Sequence, residues 1–339
     1  MTILDEKSIS ELRQLIDGAQ NVVVLCHRSP DGDAIGSSLA WKRYLEQKGK
    51  DVTVIIPDAF PDFLMWLPGT QEIVRYDKHK EKADLLLRIS DLIFCLDLNT
   101  LSRLGDDLAA AVEKTKAPKV LIDHHLNPDV PAALTVSRPT MCSTAVMVFH
   151  VIDELGDYDV IDCKTATCIY CGMMTDTGAF TFNSNTPEVF HVIARLIEKG
   201  IDKDRIYRNV NWVFSVSRMR LWGHVLSSFR VSDDKRSSYF TISKSDMKKY
   251  AYIKGDAEGL VNMPLQIRGM KLSISLREDT EKENLVWVSL RSVDDFPCNK
   301  MAAQYFNGGG HHNASGGHLD CSLAEAEEIT KRAIKEFKY

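Results

Sequence analysis

Acidic and histidine side chains recur in this sequence where predicted strands or helices end. The segments concerned are the apolar runs 21–26, 91–96 and 119–122 and the helical stretch 164–174. The side chains are His27, Asp31, Asp33, Asp97, His124 and Asp176, with Asp123 and His125 as neighbours. Ligands of open α/β sheets bind at the carboxyl ends of the strands, so we expect these side chains to meet in one site.

So many carboxylates at one edge of a sheet repel each other unless cations neutralise them. A single aspartate after a strand is usually a helix cap or a turn former, but that explanation does not extend to all four segments. Two divalent metal ions that share one carboxylate are the simplest alternative. Oxygen and imidazole ligands without thiolate suit manganese, and they also accept iron or magnesium. Such a pair of ions activates water and orients a phosphoryl group for in-line displacement, which predicts phosphoester hydrolysis.

A second group of candidate residues lies in the glycine-dense stretch FNGGGHHNASGG near the end of the chain. Glycines such as Gly309 and Gly310 allow backbone N–H groups to approach a phosphate closely, and His311 or His312 would add a donor. Upstream, Arg291 ends a strand-like run, and arginine suits bidentate binding of phosphate. The sequence therefore predicts a phosphate-binding surface in this part of the chain.

These residues must be positioned by an α/β domain whose mostly parallel sheet is flanked by helices. Continuous apolar runs are typical of strands that are buried on both faces, and they occur at 21–26, 51–56, 91–97 and 119–123. Later runs such as SSYFTIS and LVWVSLRS alternate in the strand manner and predict a smaller α+β domain. We therefore predict a catalytic metal-binding domain at 1–185, a helical linker at 186–229 and a substrate-binding domain at 230–339.

Composition limits the partners and the compartment. The chain has 339 residues, a formal net charge of -5 and a pI near 6.1. Proteins that wrap long nucleic acid carry a basic excess, so a long duplex is not expected as a ligand. The sequence has no signal-peptide pattern and no apolar run long enough for a membrane span. Its cysteines are scattered, and we expect the CxxC pair Cys168 and Cys171 to pack inside a helix of a reduced, cytoplasmic protein.

The motifs together resemble a known family. The segments HRSPDGDAIGS, IDHHLNP and GMMTDTGAFTF, with Asp97 between the first two, resemble the four successive motifs of the DHH phosphoesterase family. The glycine-rich stretch resembles the signature of the first type of DHH-associated domain. The resemblance covers about residues 20–335, and the organisation is similar to the stand-alone nanoRNases of the family, which combine oligoribonuclease and pAp phosphatase activities.

The resemblance implies a role for each candidate residue. A first manganese ion would be bound by His27 and Asp31 and a second by Asp33, His124 and Asp176, with Asp97 bridging the two. The catalytic group would comprise Asp97, His125, which points toward the substrate phosphate, and Asp123, which supports a histidine. A terminal phosphate or nucleotide would be held by Arg291, Ser292, His311 and Ser315, beside Gly309 and Gly310. The segment SRPTMCSTAV lacks the glutamate that often follows its Ser-Thr pair in relatives, and we assign it no role beyond a helix start.

The expected activity is manganese-dependent hydrolysis of short oligoribonucleotides to mononucleotides, together with dephosphorylation of pAp to AMP. One alternative is a phosphodiesterase for pApA or cyclic di-AMP that uses the same metal site. A more distant alternative is a non-catalytic nucleotide sensor, against which the complete ligand set argues. Relatives suggest a homodimer, although no residue of this sequence shows one, and neither a membrane nor a long duplex is expected as a partner.

Overall fold

The apolar runs of the N-terminal unit, Met1–Val213, form a sheet in which neighbouring strands are parallel. The computed structural model describes residues 2–253 and 255–338. The strands of this sheet are β1 (Asn21–Leu25), β2 (Asp51–Ile56), β3 (Val74–Arg75), β4 (Leu92–Leu96), β5 (Lys119–Asp123) and β6 (Leu134–Ser137). Across the sheet they follow the order β3-β2-β1-β4-β5-β6. The predicted parallel sheet is confirmed, and the short edge strands β3 and β6 extend it beyond the predicted runs.

Helices cover both faces of this sheet. They are α1 (Glu6–Gly18), α2 (Gly32–Gln47), α3 (Lys80–Ile89), α4 (Asp106–Glu113), α5 (Thr144–Glu154) and α6 (Cys163–Asp176). Short 3-10 helices lie at Asp62–Leu64, Thr70–Glu72, Leu101–Leu104 and Tyr158–Val160. In β1, Val22 and Val24 face a core shared with α1, α2, α5 and α6, whereas Val23 and Leu25 face a core shared with α3 and α4. This burial on both faces explains the unbroken apolar sequence of the strand.

Helices α2, α5 and α6 pack unusually close together. A Cβ atom at Gly36 would lie 2.6 Å from the Cys168 carbonyl oxygen, and one at Gly172 would lie 2.6 Å from the Ala145 Cβ. Only glycine fits such approaches of backbone to backbone or side chain. Cys168 and Cys171 are buried free thiols of α6, and burial raises the pKa of Cys168 to about 12. The predicted packing of the CxxC pair inside a helix is confirmed.

The C-terminal unit, Phe214–Tyr339, is built on a mixed sheet. Its strands are β7 (Arg230–Val231), β8 (Ser237–Ile242), β9 (Leu272–Glu278), β10 (Val286–Ser292), β11 (Gly309–His311) and β12 (Ala314–Leu319). They follow the order β11-β12-β10-β9-β8-β7, in which only the β8–β9 pair is parallel among the described strands. The helices of this unit are α9 (Val216–Ser228), α10 (Lys244–Lys249), α11 (Cys298–Tyr305), α12 (Leu323–Glu336) and the 3-10 helix Leu260–Gln266. The α+β character of this region is as predicted.

The segment 186–229, which the sequence assigns to a linker, is helical but is divided between the units. Its helices are α7 (Pro187–Glu198) and α8 (Lys203–Asn211) in the N-terminal unit and α9 in the C-terminal unit. Val192 and Ile206 join the core of the first unit, and Leu221 joins a core of the second. The separate linker stays a prediction. Among the described residues, no helix combines the length and the apolar character that crossing a membrane requires.

Candidate metal centre

The carboxyl ends of β1, β4 and β5 bring the predicted metal ligands together. Among the described residues, three groups of side chains place one potential ligand atom each within 4.8 Å of the others. The groups are His27, Asp31 and Asp97; Asp33, His124 and Asp176; and Asp97, His124 and His125. All six predicted ligands thus lie in one cluster, which we call the metal centre. The assignment of each residue to an ion stays a prediction.

His27 directs one ring nitrogen into the metal centre. Its Nδ1 lies 2.8 Å from the Arg28 carbonyl oxygen, which can only accept, so Nδ1 carries the proton. The unprotonated Nε2 lies 3.4 Å from Asp97 Oδ2 and 3.9 Å from Asp31 Oδ1. Asp31 is held in place because its side chain caps α2 by accepting from the Asp33 and Ala34 N–H groups. A backbone acceptor behind a ligating histidine is the usual arrangement at metal sites.

His124 is oriented in the same way by a different carbonyl. Its Nδ1 lies 3.1 Å from the Met141 carbonyl oxygen, which leaves Nε2 free to face the carboxylates. Nε2 lies 3.5 Å from Asp176 Oδ2, 3.6 Å from Asp97 Oδ1 and 4.0 Å from Asp33 Oδ2. Each histidine therefore presents a lone pair to several carboxylate oxygens. This is a geometry that suits a cation rather than a set of direct hydrogen bonds.

Asp97 stands between the two histidines, with one carboxylate oxygen toward each. The residue has a φ of 57°, in the left-handed region that non-glycine residues adopt at some cost in free energy. It is only 2% exposed, and the Thr144 hydroxyl donates to its Oδ1 over 3.0 Å. Backbone strain held in place by neighbouring groups is common at functional sites. The position of Asp97 fits a carboxylate shared by two ions.

The segment before α5, to which the sequence analysis assigns no role beyond a helix start, orients two of the candidate ligands. Asp33 accepts from the N–H groups of Thr144, over 2.6 Å, and of Ala145, over 2.9 Å. The Thr144 hydroxyl binds Asp97, and Ser143 caps the helix. The Ser-Thr pair correctly predicted a helix start. Nothing in the sequence spacing indicates, however, that the first backbone N–H groups of α5 donate to Asp33. The helix N-terminus favours the negative charge of that carboxylate.

His125 and Asp123 form a separate hydrogen-bonded pair beside the metal centre. Asp123 is fully buried and accepts from the His125 N–H over 3.0 Å and from the His125 Nδ1 over 2.8 Å. The other ring nitrogen, Nε2, lies 3.1 Å from Nη1 of Arg103. Arg103 was not among the sequence candidates because a lone arginine after a strand carries no motif. The structure shows that this cationic side chain lies beside His125, which the sequence did not predict.

The electrostatics of the metal centre favour bound cations. Burial, together with the charges of Asp97, Asp176 and Asp31, raises the pKa of Asp33 well above its ordinary value. Burial also raises the pKa of Asp176 to about 6, against the opposing charge of His124. For Asp97, burial would raise the pKa, but in the metal-free protein a proton on Nε2 of His27 would supply a hydrogen bond and a charge that outweigh burial and lower the pKa. The donors are carboxylate oxygens and imidazole nitrogens, so the set fits hard or borderline divalent ions such as manganese.

Among the phosphate-binding residues predicted in the C-terminal unit, Arg291 has more unused hydrogen-bonding capacity than Ser292 or Ser315. Its side chain is half-buried on β10, and Nη1 donates to the Leu290 carbonyl oxygen over 2.9 Å. Burial lowers the pKa of the Arg291 guanidinium. Among the described residues, no carboxylate oxygen lies within 4.0 Å of it. A desolvated cation of this kind gains from an anionic ligand.

The predicted serine ligands are already engaged within the protein. The Ser292 hydroxyl donates to the Phe296 carbonyl over 2.7 Å and accepts from Asn313 Nδ2 over 2.9 Å. Ser315 is buried and donates to the His311 carbonyl over 2.9 Å. Their hydroxyls therefore stabilise the local fold, and phosphate binding by Ser292 and Ser315 stays a prediction that these bonds do not favour.

The glycine-rich stretch folds as a β-hairpin, β11–β12, rather than as an irregular loop. Gly309 and Gly310 are exposed on β11, as is His311. Close packing explains why glycine stands at positions 308 and 317, because a Cβ on either residue would collide with a carbonyl oxygen of a neighbouring segment. Part of the glycine content thus serves close backbone packing. The binding role of Gly309, Gly310 and His311 stays a prediction.

The sequence matches the family description "DHH family, N-terminal domain" over residues 21–173 and the description "DHHA1 domain" over residues 240–338. The first stretch contains five of the six predicted metal ligands, and Asp176 lies just beyond it; the second contains Arg291 and the β11–β12 hairpin. The chain therefore belongs to the DHH family of phosphoesterases. The predicted membership is confirmed.

Within the family, the chain is similar to NrnA-type proteins. It is 30% identical to the bifunctional oligoribonuclease and PAP phosphatase NrnA of Thermus thermophilus over 97% of this chain and 93% of that protein. The crystal structure of an exopolyphosphatase-related protein from Bacteroides fragilis superposes with a TM-score of 0.95 at 45% identity, covering 99% and 98% of the two chains. An exonuclease RecJ bound to manganese has a TM-score of 0.54 at 12% identity, covering 100% and 97%, which shows a shared fold alone.

Proposed function

We propose that this protein is a manganese-dependent hydrolase that degrades short oligoribonucleotides to mononucleotides and converts pAp to AMP. The observation that carries the proposal is the metal centre, in which two groups of ligand atoms face each other across Asp97. His27, Asp31 and Asp97 would hold one ion. The second would be held by Asp33, His124 and Asp176, with Asp97 shared.

The ions would supply the activation of a water molecule and the neutralisation of phosphoryl charge. Neighbouring residues of the chain fix the protonation and the orientation of the proposed ligands. Carbonyl acceptors fix the proton of His27 and His124 on Nδ1, so each Nε2 stays free. Thr144 and the helix N-terminus behind it hold Asp97 and Asp33. Preorganised ligands need little rearrangement when the ions bind, which supports catalysis over a merely structural role.

Manganese is the proposed ion because the donors are carboxylate and imidazole groups without thiolate. Burial raises the pKa of two thiols near this ligand set, that of Cys26 beside His27 and that of Cys142 to about 12. Among the described residues, no cysteine belongs to the three groups of potential ligands. The manganese-bound RecJ structure supports the same choice through its shared fold.

Short substrates are proposed for two reasons. The relative NrnA is named as an oligoribonuclease and PAP phosphatase, and the alignment covers nearly all of both chains. In addition, the net charge of -5 does not favour the extended phosphate backbone of long nucleic acid. We further propose that Arg291 in the C-terminal unit binds a phosphate of the substrate.

The test is product analysis with the purified, manganese-loaded protein. Separate incubations contain pAp, pApA, cyclic di-AMP, a 5-mer RNA and a 24-mer RNA, and the metal content of the protein is measured in parallel. We expect mononucleotides from pApA and the 5-mer, phosphate from pAp and an intact 24-mer. Turnover restricted to pApA or cyclic di-AMP would replace this proposal with a phosphodiesterase for signalling dinucleotides. Tight binding of pAp without turnover, at two metal ions per chain, would favour a nucleotide sensor.

A further inference from the structure

Arg103 places a guanidinium group at the metal centre, in a position to which no motif assigns a role. It lies in the 3-10 helix Leu101–Leu104, which follows Asp97 closely in the chain. Its Nη1 is 3.1 Å from Nε2 of His125 and 3.3 Å from the carbonyl oxygen of Asp97. The guanidinium is therefore next to both a proposed metal ligand and the histidine expected to face the substrate.

The fold holds the backbone of Arg103 firmly. Leu101 and Leu104 on either side of it are buried in the core beneath the sheet. The Arg103 carbonyl accepts from the Arg28 N–H over 2.7 Å, which ties this turn to the loop that carries His27. An anchored backbone limits the positions that the side chain can reach, so less conformational entropy is lost when the side chain binds a ligand.

The hydrogen bond to Arg103 determines what His125 can offer a substrate. A guanidinium only donates, so His125 Nε2 must accept, and the ring proton must lie on Nδ1, where it is donated to Asp123. In this arrangement His125 has no N–H left to donate to a phosphate oxygen. The side-chain donors that remain available at this point belong to Arg103.

Arg103 also has unused binding capacity. Both of its described bonds use Nη1, and no other described residue accepts from Nε or Nη2. Within residues 2–253 and 255–338, no carboxylate oxygen lies within 4.0 Å of its guanidinium nitrogens. An arginine that stands beside a cluster of aspartates without pairing to one keeps its fork of donors available. That fork matches two oxygens of a phosphate group.

We propose that Arg103 binds the non-bridging oxygens of the phosphate that is cleaved, and that His125 and Asp123 hold its guanidinium in place. The inference rests on the proposed function, because it concerns the phosphate at the same metal centre. Arg103 keeps its charge throughout and transfers no proton. Its contribution is attraction to the negative charge on the phosphoryl oxygens, which increases toward the transition state.

The first experiment measures the binding of inorganic phosphate to the manganese-loaded protein by equilibrium dialysis. Arg103→Gln should weaken this binding roughly ten- to a hundredfold, as expected for loss of a charged bidentate contact. Arg103→Lys should weaken it less, because the charge remains while the fork is lost. The matched control is Arg138→Gln, which removes an arginine that also donates to backbone carbonyls, those of Ser137 and Ile3. The control should bind phosphate normally, and manganese stoichiometry should be unchanged in all three variants.

The second experiment separates direct phosphate binding from an effect through His125. Arg103→Gln is combined with His125→Ala, and the loss of phosphate affinity is compared in the two backgrounds. A loss that persists without His125, although smaller because the guanidinium is no longer held in place, supports direct binding, whereas a loss that disappears without His125 overturns the proposal. Failure of the wild-type protein to cleave any ester, with phosphate binding still dependent on Arg103, would reject the proposed function but not this site. Unchanged phosphate affinity in Arg103→Gln would reject the site alone.

Discussion

Asp97 connects the two groups of ligand atoms in the metal centre, because its two carboxylate oxygens face different histidines, His27 and His124. We expect Asp97→Asn to lower kcat for pAp roughly a thousandfold or more, since a neutral amide is a poor bridge between two cations. Metal content, measured by mass spectrometry, should fall from two ions per chain to one or fewer.

The control for this variant lies at the other end of the same stretch of chain. Asp91 precedes β4 and accepts from the N–H groups of Gln20 and Asn21, far from the carboxyl end of the sheet. Asp91→Asn also removes one negative charge, yet it should leave kcat and metal content unchanged. Near-normal turnover by Asp97→Asn would show that Asp97 is not a shared ligand.

Metal affinity should depend on pH through Asp176, whose pKa is raised to about 6 by burial in the metal-free protein. Below pH 6 this carboxyl is protonated, so a metal ion must displace its proton, and affinity falls as the pH decreases. Above pH 6 it is already ionised and contributes no further dependence. Calorimetric titration with manganese at pH 5.5, 6.5 and 7.5 should show weakening of up to about tenfold per pH unit for each proton released. Asp176→Asn should reduce this dependence to the part that Asp33, whose pKa is also raised, contributes. A constant affinity in the unmodified protein would contradict the prediction.

Arg291 should affect substrate binding more than chemistry. Its guanidinium is half-buried and forms no ion pair within 4.0 Å among the described residues, although the charge of Glu258 acts on it. A substrate phosphate would therefore interact with it in both the ground state and the transition state. We expect Arg291→Ala to raise KM for pAp roughly tenfold with little change in kcat. Arg277 on the neighbouring strand, whose guanidinium lies over the Tyr252 ring, provides the control, and its replacement by alanine should leave KM unchanged. An unaltered KM in Arg291→Ala would count against phosphate binding there.

At the scale of elements, the sequence was most informative where strands are buried on both faces. Continuous apolar runs identified β1, β2, β4 and β5, and the positions of Asp97 and Asp123 directly after strands predicted which edge of the sheet carries the site. What could not be predicted are contacts between distant segments, such as the Thr144 N–H to Asp33 or Arg103 to His125. These depend on how a helix and a turn pack in three dimensions, which local periodicity does not encode. The β11–β12 hairpin was missed because glycine favours loops and weakens the strand pattern.

The close packing of α2, α5 and α6 has a measurable consequence at Gly172. A Cβ there would meet Ala145 and would lie 2.9 Å from Asp33 Oδ1, so Gly172→Ala must displace a helix or a proposed ligand. We expect a loss of about 1–3 kcal/mol in the free energy of unfolding, measured with urea, and weaker manganese binding. Gly223 in α9 has no atom within 4 Å of such a Cβ, so Gly223→Ala should be neutral or stabilising by up to about 1 kcal/mol. Equal effects of the two substitutions would show that helix propensity, and not packing, governs Gly172.

At the scale of the whole molecule, each unit has hydrophobic cores of its own. Those of the N-terminal unit lie on either side of the parallel sheet, and those of the C-terminal unit lie on either side of the mixed sheet. The proposed metal ligands all belong to the first unit, and Arg291 and the glycine-rich hairpin belong to the second. The chain therefore separates the chemistry of the metal ions from the proposed phosphate binding by Arg291.

This separation predicts that manganese stabilises one unit selectively. A ligand present at a hundred times its Kd adds about 2.7 kcal/mol to the stability of the unit that binds it. For a unit of the size of Met1–Val213 this corresponds to an increase in Tm of about 5–10 °C, measured by scanning calorimetry. The unfolding transition whose Tm manganese raises should be the same one whose Tm Gly172→Ala lowers. In Asp97→Asn, manganese should raise that Tm by a smaller amount. A manganese-induced shift in a transition that Gly172→Ala leaves unchanged would place the ions outside the metal centre, because bound ions stabilise the unit whose native structure supplies their ligands.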